Sequence, residues 1–316
     1  MRKLLFIGLA VLLAAISGCA PKEKSLTEVN VGLSWIHEAQ FAGLYAADQL
    51  GYFEEQGLNV TFYPYNYTDL ASDLVNNKFD FVFLQTDTLL LAKEQGLPVK
   101  AVFADYRIIP TAYFSKKESN ITKLQDYVGK TVGVAYSERH PLVAILEKMG
   151  IPASKVDIVD RDYTYDKLAS GEYDVEAGWV TDGDSVKAAV GEFNQLSPYD
   201  YGVNWYADII TASESTIQTN PELVESFVKA VTQGWEYSLE NPEIASRMAL
   251  KYEPEIKPEH LEFVLKASSP LIHTGKDKLG RMEADVFESA QDILFRQGVM
   301  KQKVDANKVF TNEFLS

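Results

Sequence analysis

Short apolar runs alternate with helical segments along most of this chain, and that alternation constrains the fold more than any other feature. Residues 29–35 alternate enough to read as a strand. Residues 41–50 read as a helix closed by Gly51, and 58–63 as a second strand. A helix over 69–77, a strand over 79–84 and a strand over 99–104 continue the series. Strands separated by helices predict parallel α/β construction.

A second α/β unit opens near Tyr106. Residues 131–135, 156–159 and 173–179 read as strands, 141–149 and 165–170 as helices, and 207–212 as a strand that leaves the unit. The remainder is helical. Asn220-Pro221-Glu222 and Asn241-Pro242-Glu243 each offer a capping residue, a proline at N1 and an acid in the first turn. Leu223, Phe227, Val228, Val231 and Trp235 then recur at helical spacing. No repeat or low-complexity linker separates the units, so strand crossings join them, an arrangement suited to hinge closure. The predicted lobes are residues 29–105 with 210–316, and residues 106–209.

The first residues read differently. Met1-Arg2-Lys3 is a basic n-region, and residues 4–16 are apolar but too few to span a bilayer comfortably. Ile16-Ser17-Gly18-Cys19 resembles a bacterial lipobox, which predicts a signal peptide over 1–18, lipidation at Cys19 and a tether over 19–28. Cys19 is the only cysteine, so no disulfide forms within one chain. The predicted location is extracytoplasmic, with lipid chains anchoring the protein to the outer face of the plasma membrane or in the periplasm. No later stretch reads as a transmembrane segment.

The whole chain has an ordinary globular composition, 46% hydrophobic and 24% charged. Its net charge is −15, and removal of Arg2 and Lys3 with the signal makes it more negative still. Such a surface repels nucleic acid and anionic membranes, so neither is an expected partner. The histidines, at 37, 140, 260 and 273, have no paired metal-ligand spacing. Residues 160–166 imitate the start of a calcium loop. They lack glycine at the sixth place, and the twelfth is Gly171, so a solvated acidic loop is expected there. There is no P-loop and no G-x-S-x-G. No metal, cofactor or catalytic residue is predicted.

Ligands of open α/β sheets sit beyond the C-terminal ends of the strands. That rule selects Trp35, His37 and Gln40 after the first strand, Tyr67 after the second, and Gln85 with Asp87 after the third. In the second unit it selects Tyr136, Ser137 and Glu138, then Trp179 and Asp182. The crossings contribute Tyr113, Trp205 and Asp208. Aromatic walls stack on a planar ring, and carboxylates accept from ring amino or N–H groups. Gln85 and Asp87 would equally serve as caps for the following helix. Glu138 and Arg139 could pair with each other.

The segments "FAGLYAADQLGYFEEQGLNV", "DFVFLQTDTLLLAKEQGLPV", "LQDYVGKTVGV" and "YDVEAGWVTDGD" together resemble the ABC-transporter substrate-binding lipoproteins related to yeast thiamine-pyrimidine synthase. Members of that group bind thiamine pyrimidine precursors, and relatives bind riboflavin, alkanesulfonates, taurine or nitrate. The resemblance covers residues 29–249. It implies a two-lobed periplasmic-binding-protein fold of type II, each lobe a mostly parallel sheet flanked by helices. It also implies a monomer that delivers a small-molecule ligand to an ABC importer permease with its ATPase. The synthase's lysine position falls on Leu84, its histidine position on Thr88 and its cysteine-rich loop on residues 202–206. Leucine forms no Schiff base and that loop has no thiol, so an enzyme of this kind is not expected. Pyrimidine-binding relatives carry a Trp-x-x-Glu segment; here it is Trp179-Val180-Thr181-Asp182. The expected ligand is therefore a planar nitrogen heterocycle, a thiamine pyrimidine precursor of the hydroxymethylpyrimidine type. Riboflavin, an alkanesulfonate, or a role presenting ligand to a sensor remain alternatives.

Overall fold

A computed structural model describes residues 25–275 and 277–315. Cys19, the expected signal peptide over 1–18 and residues 19–24 of the expected tether lie outside the described residues. Ten strands form two five-stranded sheets. The first contains β1 (Thr27–Gly32), β2 (Leu58–Tyr63), β3 (Phe81–Leu84), β4 (Val99–Tyr106) and, returning late, β10 (Ala207–Ser213). The second contains β5 (Thr111–Lys116), β6 (Thr131–Val134), β7 (Asp157–Asp160), β8 (Val175–Trp179) and β9 (Phe193–Leu196). Their orders are β2-β1-β3-β10-β4 and β7-β6-β8-β5-β9.

In the first sheet β1 is parallel to β2 and β3, whereas β10 is antiparallel to β3 and β4. In the second, β6 is parallel to β7 and β8, whereas β5 is antiparallel to β8 and β9. The odd strand of each sheet is the first one after a crossing. A chain entering a lobe from the cleft must run away from it, while the strands that follow helices run toward it. Both sheets are thus mostly parallel and flanked by helices, as the α/β reading requires.

Several local expectations shift. β5, beyond the crossing, and β9, together with the helix Gly183–Val190 before it, add to the elements read from the sequence. β1 begins two residues early and stops at Gly32, since residues 34–37 bend out of the sheet. The helix expected from Pro141 instead spans Tyr136–Lys148 with that proline inside it. The Glu138 carboxylate accepts the Ala135 N–H at 2.7 Å, which satisfies an orphan donor and fixes the earlier start.

The first sheet owns the larger core. Helices Ala42–Gln49 and Pro221–Glu240 approach through glycines. A Cβ on Gly43 would fall 2.5 Å from the Trp235 ring, and one on Gly234 would meet the Gly43 carbonyl oxygen. Trp235 is fully buried, and its Nε1–H donates to Asp105 at 3.0 Å. Phe81 and Phe227 stack with centroids 4.1 Å apart, tying the long C-terminal helix to β3. Among the described residues, no helix is long and apolar enough to cross a membrane.

Candidate functional site

The strands of both sheets other than β5 and β10 point their C-terminal ends toward one cavity of about 540 Å³. From the first sheet it is lined by Ser34, Trp35, Gln40, Tyr65, Gln85 and Asp87. From the second come Tyr136, Ser137, Glu138, Trp179 and Asp182, and Trp205 and Tyr206 come from the return crossing. The Trp35 and Tyr163 rings meet across the mouth at 5.7 Å, tilted by 42°. The Trp179 ring is set edge-on to Tyr106 at 5.5 Å.

The first wall is organised from behind. Asp208, fully buried at the start of β10, accepts from Ser34 Oγ at 2.5 Å and from Gln40 Nε2 and Gln85 Nε2 at 2.9 Å each. Burial raises its carboxyl to about 6 despite those three donors. Gln85 holds the N-cap position of helix Thr86–Glu94, yet its side chain makes no cap and turns to Asp208. Asp87 is buried, accepts the Thr88 N–H at 2.8 Å, and has its carboxyl raised by desolvation.

The second wall is built on charge. Arg161 donates to Glu138 through Nε at 2.9 Å and Nη2 at 2.8 Å, and both side chains are almost fully buried. Its guanidinium lies 4.7 Å from the Tyr163 ring centroid. Tyr163 takes a left-handed backbone, φ 62°, to reach that position. Asp182 lines the cavity while its Oδ2 accepts from Tyr165 Oη at 2.6 Å and from the Trp179 N–H at 3.1 Å. That carboxylate therefore serves the local turn as well as the cleft. Arg139 pairs with Asp160 at 2.8 Å, so the expected Glu138–Arg139 pair does not form.

One residue spans the two walls. His260, on helix Pro258–Ile272, contacts Asp184 through Nδ1 at 2.7 Å and Glu38 through Nε2 at 3.4 Å. The two carboxylates push its pKa up to about 10.

The structure does not bring every expected residue to the cavity. The His37 ring stacks on Tyr252 at 5.2 Å and meets Tyr45 Oη at 3.0 Å, so it packs within the first lobe. Tyr67 is 88% exposed and away from the cavity wall; Tyr65, two residues earlier, lines it instead. Tyr113 is buried in β5 and donates to the Glu138 carbonyl at 2.8 Å. Asp208 stands behind the wall. The acidic residues Asp160, Asp162 and Asp166 are exposed, as a solvated loop requires, yet Arg161 and Tyr163 of the same stretch enter the cavity wall. They directly follow β7, so the strand-end rule, applied there, points to them. Nothing local in the sequence marks His260, which arrives by tertiary packing.

This geometry defines a two-lobed binding protein. The chain belongs to the NMT1/THI5-like family, whose pattern it matches over residues 38–245. It is 29% identical to the riboflavin-binding protein RibY of Chloroflexus aurantiacus, across 93% of this chain and 87% of that one. It is 24% identical to the formylaminopyrimidine-binding protein of Halalkalibacterium halodurans, across 99% of each. A 4-amino-5-hydroxymethyl-2-methylpyrimidine phosphate synthase of Legionella pneumophila is 23% identical, across 92% of each chain. Among solved structures, the periplasmic aliphatic sulphonate binding protein SsuA of Escherichia coli superposes with a TM-score of 0.73. That match is at 12% identity, across 90% of this chain and 92% of that one.

Proposed function

We propose that this protein is an extracytoplasmic receptor for a flat nitrogen heterocycle of the flavin class, lipid-anchored through Cys19, that hands its ligand to an ABC importer. The observation that carries this reading is the cavity, about 540 Å³ and walled by Trp35, Tyr65, Tyr163, Trp179 and Trp205. Aromatic faces on both sides suit an extended planar ring system. A single pyrimidine ring would leave most of that volume to water. The similarity to RibY supports the same choice. An aminopyrimidine is the second reading, favoured by the Asp182 carboxylate in its Trp-x-x-Asp segment. Asp182 Oδ2 is already engaged, which weakens it.

Charge argues against a sulfonate. Arg161 and His260 are the cations among the described lining residues, and each is tied to carboxylates. Chemistry of the synthase kind is disfavoured too. Leu84, Thr88 and Trp205 occupy the cavity wall where that enzyme's lysine, histidine and cysteine loop are expected, and none supplies an amine, imidazole or thiol. The crossings at residues 107–110 and 197–206 are where we place the hinges between lobes.

A thermal-shift panel of riboflavin, hydroxymethylpyrimidine, formylaminopyrimidine and an alkanesulfonate tests the ligand. Riboflavin at a hundred-fold excess over its Kd should stabilise the native state by about 2.7 kcal/mol. A shift with the pyrimidines alone would replace the flavin reading with the second one. A shift with sulfonate alone would sink both.

A further inference from the structure

We infer that Asp208, which never reaches the cavity surface, decides which hydrogen-bonding pattern the cleft floor accepts. This deepens the receptor reading above and rests on it. Three residues from two strand ends, Ser34 and Gln40 after β1 and Gln85 after β3, line the cavity and also donate to the one carboxylate. An ionised carboxylate can only accept. It therefore takes the single hydroxyl proton of Ser34 and one N–H of each glutamine amide, and so fixes how both amides are turned. Gln85 is fixed a second time, because its Oε1 accepts the Asp208 N–H at 3.4 Å. Gln40 Oε1 has no partner among the described hydrogen bonds. Ser34 Oγ, its proton committed, and Gln40 Oε1 are the acceptors left to a ligand. A buried acid thus sets two amphoteric side chains, Ser34 and Gln40, to accept, and the floor selects an edge that carries ring N–H or amino donors. A ligand presenting only acceptors there would leave buried groups unpaired, the situation that gives strong discrimination.

Asp208→Asn is the variant that isolates the effect. Asp208 sits at φ 47°, a left-handed conformation that asparagine tolerates, so the fold should survive. The new NH₂ is a donor, so at least one glutamine amide must turn its carbonyl inward and offer its NH₂ to the cleft. Two measurements test this. In the unliganded protein, the side-chain NH₂ signals of Gln40 and Gln85 should exchange slowly with solvent in the wild type and faster in the variant. Equal exchange in both proteins would overturn the inference whatever the ligand proves to be. In the liganded protein, calorimetry compares riboflavin with its N3-methyl analogue, and an aminopyrimidine with its dimethylamino analogue. Whichever pair binds, the wild type should prefer the donor-bearing member by about ten-fold more than Asp208→Asn does. Gln40→Met, which removes the acceptor and keeps the bulk, should lose the same preference. An unchanged preference ratio in both variants would reject the role of Asp208. Failure of both flavins alone would reject only the flavin assignment.

Discussion

The two walls of the cleft reach similar shapes by different physics. On the first lobe, neutral side chains converge on one buried acid, behind which lies a large apolar core clamped by glycine-mediated helix contact. On the second lobe, an ion pair buried among aromatic rings does the positioning, and the core is divided between a cluster with Val132, Leu142, Ile145 and Val175 and a small satellite of Ala112, Phe114, Tyr165, Leu168 and Val186. Hydrogen bonds from neutral donors to a carboxylate leave one charge to be stabilised; an ion pair leaves two. The second wall therefore depends on each charged partner keeping the other. The first depends on close packing.

Removing one member of that pair should give the largest effect. Arg161→Met strands the Glu138 carboxylate in a buried site, with an expected loss of about 3–5 kcal/mol in urea unfolding. A loss near that of an exposed pair would erase the contrast between the walls.

The matching test on the first lobe is Gly43→Ala. The added methyl meets the Trp235 ring at 2.5 Å, and neither the ring nor the facing helix has room to yield. The expected destabilisation is about 1–3 kcal/mol by the same measurement. A neutral result would show the helices slide apart easily and that the first lobe is not the tighter one.

A pH series sharpens the comparison further. Glu176 is fully buried in β8, both its oxygens lack partners, and burial raises its pKa to about 7. A raised folded pKa contributes stability that is whole below the ordinary 4.5 and lost as pH rises through about 7. Glu176→Gln, which does not titrate, should flatten that decline, so its advantage over the wild type grows from pH 5 to pH 8. Parallel pH curves would place Glu176 in water.

The smallest effect belongs to the junction between the walls. The His260 bridge to Asp184 and Glu38 is favoured in full below pH 6.5 and fades as pH rises toward about 10. His260→Asn should weaken ligand binding a few-fold near pH 7, and the difference should shrink in alkaline buffer. A pH-independent difference in calorimetry would assign His260 to packing instead of charge.

Much of this molecule is legible in the chain because strand and helix periodicities are local. β2 and helix Asp166–Ser170 fall within a residue of expectation, and the return of the chain through β10 is read within one residue as well. β5 follows a crossing without a helix beside it, and β9 follows helix Gly183–Val190, whose short span around two glycines and two aspartates does not read as a helix in the sequence. Helix Tyr136–Lys148 was read as starting at Pro141, since proline favours a first turn. The energy that decided otherwise comes from Glu138 and its distant partner Arg161.

The sequence by itself determined the strand–helix order and the strand ends that face a ligand. It also determined the acidic, aromatic chemistry of those ends, because all three depend on neighbours a few residues apart. Which of those residues line the cavity was decided by tertiary structure alone. His37 and Tyr67 lie in turns after strands, as Trp35 does, yet one packs against Tyr252 and the other faces solvent. Asp208 controls the floor from 168 residues beyond Gln40, and His260 joins walls that lie far apart in the chain. Such partners are set by how two sheets and a C-terminal helix dock. The free energy of that docking is summed over contacts that no short stretch of sequence contains.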